Sequence, residues 1–322
     1  MTDSPGREAL TLVTVVFEAE LALLQLQARS LARFLDPGAV SRIIVIDNSA
    51  RGLPGRSRAK ILREYGELAP IVEIVSSQDV SGMPQATGWN SQQVLKLAVA
   101  RLIDTDKYLT LDAKNHLIRP TSVADFVASD GRPFANFHSY ESHPLRPSFE
   151  RVFRFVGWGH AESLHRFTAT ATPFCLVTGL VCSLMDDIER TRSEAFATVF
   201  IDERLTEYFL YSSWLLSQGY DLDEIYDPSG IDCPAVWPKG ASVAGVRSVL
   251  KSVADRNPAL IAVHRTALAR MNREATGQLE RFWVERGLFH SHSAAKYFVF
   301  GYRIRYVTTM ILKKWRERHL GD

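Results

Sequence analysis

The chain has 322 residues, 46% apolar and 23% charged, which suffices to bury a large core in roughly two domains. Lys and Arg number 38 against 36 Asp and Glu, and a net charge of +2 gives no support to a nucleic-acid binder. The three cysteines, Cys175, Cys182 and Cys233, fall in no C-x-x-C; they exclude a disulfide framework and a four-cysteine zinc site and fit a reducing cytosol.

The N-terminus does not read as a secretion signal. Asp3, Arg7 and Glu8 precede an apolar run over residues 9–17 that Glu18 stops, with no small-residue cleavage site after it. The longest uncharged stretch, 167–185, is broken by threonines, Pro173, Gly179 and Ser183, so no membrane span is expected. The expectation is a soluble, cytoplasmic protein.

Residues 10–17 are β-branched and apolar almost throughout, as a strand buried on both faces should be. Leu21, Leu24, Leu31 and Phe34 follow at helical spacing until Asp36-Pro37-Gly38 stops the helix. Further strands are predicted at 42–47, 71–75 and 107–112. Successive starts lie about 30 residues apart, the length of a βαβ unit, so the first third predicts a doubly wound, mostly parallel α/β sheet. Ligands then belong at the carboxyl ends, which hold Phe17, Asp47, Asn48 and Asp112. The second half is less regular: a strand region over 173–183, an amphipathic helix over 203–217 and a short strand ending at His264. The proline-rich stretch 132–147 marks the junction of a donor half (about 1–130) and an acceptor half (about 131–290), with a separate helix over 291–322.

Familiar nucleotide motifs are absent. No G-x-x-x-x-G-K-[ST] occurs, and the first strand runs into Glu18-Ala19-Glu20 where a dinucleotide turn needs glycines. H-E-x-x-H and G-x-S-x-G are missing too. More informative is the stretch from Gly88 to Leu97. On a helix, Trp89, Gln92, Gln93 and Lys96 share one face, while Leu95, Ala98, Val99 and Leu102 take the opposite stripe. An indole, two amides and an ammonium on one face suit a base, a ribose and phosphates, or else form a solvated surface. The strand 107–112 then delivers Asp112, Lys114 and Asn115 to the sheet edge. A carboxylate there suits a sugar or ribose hydroxyl or a metal, and equally a turn cap; Lys114 offers a fixed charge to a diphosphate leaving group.

Taken together, Asp47-Asn48, the Gly88-Trp89…Gln92-Gln93…Lys96 helix and the "LDAKN" strand end carry a resemblance. The chain resembles bacterial GT-A-fold glycosyltransferases, in particular uncharacterised predicted ones with a "GW…QQ..KL" helix before an "LD-x-(D/K)" motif. Thr206-Glu207-Tyr208-Phe209-Leu210-Tyr211 is similar to that family's "SEY.LY" helix, and Val263-His264-Arg265 extends the likeness over roughly residues 10–290. The resemblance implies a GT-A-like sheet and sugar transfer from a nucleotide-sugar donor to a glycan or lipid-linked acceptor, in surface-polysaccharide synthesis. Phe17, Asp47, Asn48, Trp89, Gln93 and Lys96 would hold the nucleotide. Asp112, Lys114 and Asn115 would hold the sugar diphosphate, with His264 and Arg265 near it.

The sequence departs from the family where D-x-D would bind a divalent metal, since its second acid is Lys114. An ammonium repels Mg²⁺ or Mn²⁺, so no cofactor is expected to be required, and Lys114 is expected to neutralise the diphosphate instead. Glu207 is the expected acceptor-side base, sharing a helix face with Glu203 and Tyr211, with Asp202 and Glu203 as rivals. A sugar nucleotidyltransferase and a catalytically dead glycan-binding scaffold are the alternatives; the first lacks a glycine- and basic-rich loop after strand one, and the broken D-x-D suggests the second. From Lys296 onward, seven Lys/Arg face two acids, while Phe300, Ile304, Val307, Ile311 and Trp315 step at helical spacing. Such a helix suits an anionic membrane surface, hence a peripheral position at its inner face, or else packs on the core.

Overall fold

The computed structural model describes residues 9–82, 89–159 and 161–319; side chains at 89, 161–162 and 312–319 are not described. The β-branched runs form β1 (Leu10–Val16), β2 (Val40–Asp47), β3 (Val72–Ser76) and β4 (Lys107–Asp112). Next come β5 (Asn115–Leu117), β6 (Phe137–His138), β7 (Phe167–Thr168), β8 (Phe174–Val177), β9 (Ala235–Val236) and β10 (Leu260–Val263). The main sheet has the order β3-β2-β1-β4-β8, its first four strands parallel and β8 antiparallel to β4. This is the expected α/β architecture, a mostly parallel sheet flanked by helices.

Both faces of the sheet are covered, which is why its strands read as continuous apolar runs. Leu12, Ile43, Val45 and Leu109 pack with Leu24, Leu31 and Trp283 on one side. Their alternates Val13, Ile44, Ile46 and Tyr108 pack with Val94, Leu95 and Phe209 on the other. Each such side chain contributes about 1.5–3 kcal/mol on burial.

Register fixes the site. Val16 of β1 lies beside Asp47 of β2, and Val15 beside Asp112 of β4, so the two aspartates flank the end of β1. From there Phe17 leads into the 3-10 turn Glu18–Glu20 and the helix Leu21–Phe34. A second sheet, β5-β10-β9, is separated from the end of β4 by two residues. Its β10 ties the intervening turn down, Val263 N–H donating to the Lys114 carbonyl at 3.0 Å.

Three expectations are corrected. The predicted strand over 173–183 is only β8; the helix Thr178–Arg192 follows it, because Val181, Leu184, Met185 and Ile188 recur at helical spacing and are all buried. The predicted helix over 203–217 starts instead at Glu207: Glu203 caps the preceding helix Phe196–Asp202, and Arg204 breaks the chain at φ 52°. The helix Glu207–Ser217 is also not amphipathic, since its residues from 207 to 215 are all buried. Past Asp112 the chain turns at 113–114.

The last helix, His292–His319, buries Ala295, Val299 and Tyr302 against the body. Among the described residues no helix is long and apolar enough to cross a membrane.

Candidate active site

Asp112 ends β4 with its side chain about a third exposed, and an ammonium faces each of its oxygens. Lys96 Nζ sits 2.9 Å from Oδ1, and Lys114 Nζ pairs with Oδ2. Lys96 comes from the helix Trp89–Ala98, and its ammonium also reaches Glu207 Oε1 at 3.3 Å. Burial alone would lower the Lys96 pKa, but the two carboxylates and Tyr208 hold it well above the ordinary lysine range. Asp112 runs the other way: burial would raise it, yet Lys114 and Lys96 pull it well below the usual carboxylate range. For Glu207 burial outweighs Lys96, so its pKa lies above the ordinary value.

The turn that presents Lys114 is built by amides. Gln27 donates to the carbonyls of Asp112 at 2.8 Å and Asn115 at 3.0 Å, and accepts from Thr14. Asn115 Oδ1 accepts from the Asp112 N–H at 2.8 Å and from the Thr172 hydroxyl at 3.0 Å. Lys114 Nζ also lies 3.5 Å from Thr172 Oγ1 and 5.4 Å from the centre of the Trp237 ring. That indole is 47% exposed and tilts against the His264 ring at 5.6 Å.

Opposite, the Arg265 guanidinium lies over Phe17 at 4.9 Å and pairs with Glu20 at 3.0 Å. Burial pushes the Glu20 carboxyl up to about 7, against the pull of Arg265 and with some help from Asp112. His264 is pushed down to about 4 by burial, Lys114 and Arg265, so it is neutral at pH 7. Its Nδ1 accepts the Thr266 N–H at 3.1 Å, which leaves the ring proton on Nε2.

Of the residues singled out in the sequence, the fold therefore gathers Asp112, Lys114, Asn115, Lys96, Glu207, Phe17, His264 and Arg265 around one strand end. Several stand differently from expectation. Lys96 and Gln93 do not face solvent for a nucleotide; both are buried, and Gln93 Oε1 accepts the Glu207 N–H at 3.4 Å. Glu207, expected to face the acceptor, is 7% exposed, with its Oε1 3.3 Å from the Lys96 ammonium. Asp202 and Glu203 lie away on the preceding helix, Glu203 within 3.9 Å of Arg192. Asp47 is occupied with its own loop, accepting the Ser49 N–H at 3.0 Å and the Leu53 N–H at 2.5 Å. Asn48 is buried and donates to Ser91, while its Oδ1 has no partner among the described residues. The side chain of Trp89 lies outside the described ones.

Glu20, Gln27, Thr172 and Trp237 were missed. Glu20 had a signal, its place just after the first strand; Thr172 and Trp237 sit on loops that only the fold brings to Lys114. As a donor set for a divalent cation the cluster does not fit. Both Asp112 oxygens face ammoniums, and no group of three or more His, Cys, Asp or Glu is arranged for a metal among the described residues. What the arrangement can do is receive an anion on Lys114 and Arg265 while Asp112 accepts from hydroxyl groups.

A model of a family of unknown function, DUF6492, matches residues 11–240. No curated protein matches the chain. Among solved structures, the chain is similar to the galactosyltransferase LgtC in complex with donor and acceptor sugar analogs, at 15% identity and TM-score 0.48 over 88% of this chain and 97% of that one. The bifunctional glycosyltransferase WbbM is 9% identical with TM-score 0.43, covering 81% of this chain and 46% of its own. The glycosyltransferase GlyE of Streptococcus pneumoniae is 12% identical with TM-score 0.42, covering 91% and 64%.

Proposed function

The chain belongs to the DUF6492 family; we propose that it is a glycosyltransferase with a GT-A-like sheet, moving a sugar from a nucleotide-sugar donor to a glycan or lipid-linked acceptor in surface-polysaccharide synthesis. One observation carries the reading: a partly exposed carboxylate, Asp112, ends a central parallel strand between two ammoniums, Lys96 and Lys114, with the Arg265–Glu20 pair at the same strand ends. Transfer breaks the bond from the anomeric carbon to the diphosphate oxygen, whose electron pair leaves with the nucleoside diphosphate; the anomeric carbon bonds to the acceptor hydroxyl oxygen, and the hydroxyl proton passes to the departing diphosphate. Lys114 and Arg265 offset the charge that grows on it, with the His264 Nε2–H as a neutral donor beside them. Asp112 accepts from hydroxyls of the sugar. Glu207 acts indirectly, holding Lys96 and through it the orientation of Asp112. No metal step is invoked, since the donor set does not suit one.

The test is thermal stabilisation and turnover with a panel of nucleoside diphosphates and nucleotide sugars. A binder at a hundredfold excess over its dissociation constant stabilises by about 2.7 kcal/mol. Asp112→Ala should stay folded and lose transfer. Stabilisation without turnover in any pairing would favour the glycan-binding scaffold; no stabilisation by any panel member would remove the proposal.

A further inference from the structure

The helix His292–His319 buries one face and leaves an apolar stripe on the other. Tyr297, Phe300, Ile304, Val307 and Ile311 are each more than half exposed, and they step three and four residues apart along one line. Scattered exposed apolar residues are ordinary, but a contiguous row signals a partner. A groove runs along each side of this helix. One, of about 620 Å³, is lined by Arg29, Lys60 and Arg305 against the single carboxylate of Glu64, which Arg29 already pairs. The other, of about 730 Å³, is lined by Arg273, Arg281, Lys296 and Arg303 against Glu274 and Glu280.

We infer that this face docks on an anionic lipid bilayer, the apolar stripe entering between headgroups and the two cationic grooves receiving their phosphates. Spacing alone would also suit a second copy, because three-four steps make a coiled-coil seam. Charge decides between them. Lys296, Arg303 and Arg305 beside the stripe are all cations, and the sequence continues with Lys313, Lys314, Arg316 and Arg318 against Glu317. Two such faces repel each other, whereas an anionic surface attracts both grooves at once. The same helix is bonded to the candidate active site, since the Tyr302 hydroxyl donates to the Arg265 carbonyl at 2.8 Å. A docked bilayer therefore lies one helix diameter, about 10 Å, from the site's rim, suiting a lipid-linked acceptor. That last clause rests on the sugar-transfer reading; the docking itself does not.

The experiment is co-sedimentation of the full chain with phosphatidylglycerol-containing and pure phosphatidylcholine vesicles at low and high salt, with light scattering on the protein alone. The variants are Phe300→Ser/Ile304→Ser/Ile311→Ser, whose positions are all exposed, and Lys60→Gln/Lys296→Gln. The wild type is expected to bind the anionic vesicles and to be released by salt. The triple variant should lose at least tenfold and the charge variant about fivefold per lysine, with melting temperatures unchanged. No binding to anionic vesicles at low salt, equal binding to both vesicle types, or a triple variant that binds like wild type would each overturn the inference. So would a dimer that the triple variant abolishes in a protein indifferent to lipid. A protein that binds vesicles yet transfers no sugar leaves the docking standing and sinks only the transfer reading.

Discussion

Replacing Lys96 by methionine removes the cation shared by two carboxylates while keeping the volume of its stem. Lys96 is 9% exposed and Glu207 7%, so neither contact is screened by solvent as a surface pair would be. Asp112 keeps Lys114 on its other oxygen, but Glu207 loses its ion-pair partner. Leaving one buried charge uncompensated costs about 3–5 kcal/mol, which for a chain of this size lowers the melting temperature by roughly 4–7 °C at pH 8. The loss should depend on pH with a definite sign. Glu207 already titrates above the ordinary range because burial outweighs Lys96, and without Lys96 it rises further. A carboxyl whose folded pKa exceeds its unfolded value favours the fold at low pH and loses that contribution as pH rises through the folded pKa. The deficit against wild type should thus be smaller at pH 5.5 than at pH 8, because lower pH favours the protonated form of Glu207. Adding Glu207→Met should bring the double variant to within about 2 kcal/mol of wild type, since apolar groups of similar volume replace a buried pair at little cost. Thermal unfolding followed by near-ultraviolet circular dichroism at both pH values is the assay. A Lys96→Met protein that melts within 2 °C of wild type at pH 8, or shows the same deficit at both pH values, would refute the triad as described.

Two further outcomes are expected. Glu20→Gln removes a carboxyl that titrates at about 7, above its unfolded range, so wild type should lose stability relative to this variant as pH rises from about 5 through 7; a melting difference that is flat between pH 5 and pH 8 would contradict the burial of Glu20. Lys114→Ala should lower turnover by about 10² to 10³, the effect of losing one charge-assisted contact to the leaving group, while chelator changes little. Activity abolished by EDTA and restored by Mn²⁺ would defeat that account.

The central sheet was legible because its strands are buried on both faces and announce themselves as apolar runs a βαβ length apart. The carboxyl-end rule then led to Asp112 and Lys114 without knowledge of any loop, and the resemblance pointed to His264 and Arg265. What escaped was of two kinds. Lys96 and Gln93 were placed on a polar helix face, and sequence cannot tell a polar face turned to solvent from one turned onto a buried ion pair. Both look alike until the helix Glu207–Ser217 is known to close over them. Trp237 and Thr172 escaped because their meaning lies wholly in tertiary contact, more than 50 residues from Lys114. The Glu203–Glu207 face failed for a local reason: Arg204 adopts a left-handed conformation that no pattern of apolar residues announces.

The turn between β4 and β5 is fastened from three directions, by Gln27 beneath, by the Asn115 side chain across it and by β10 alongside. None of these bonds involves the side chain of Lys114. Shape and charge at this turn are therefore separate quantities, the first held by main-chain carbonyls and core amides, the second carried by a side chain that takes no part in them. Exchanging the Lys114 side chain would change the charge of this pocket while leaving the bonds that shape the turn in place.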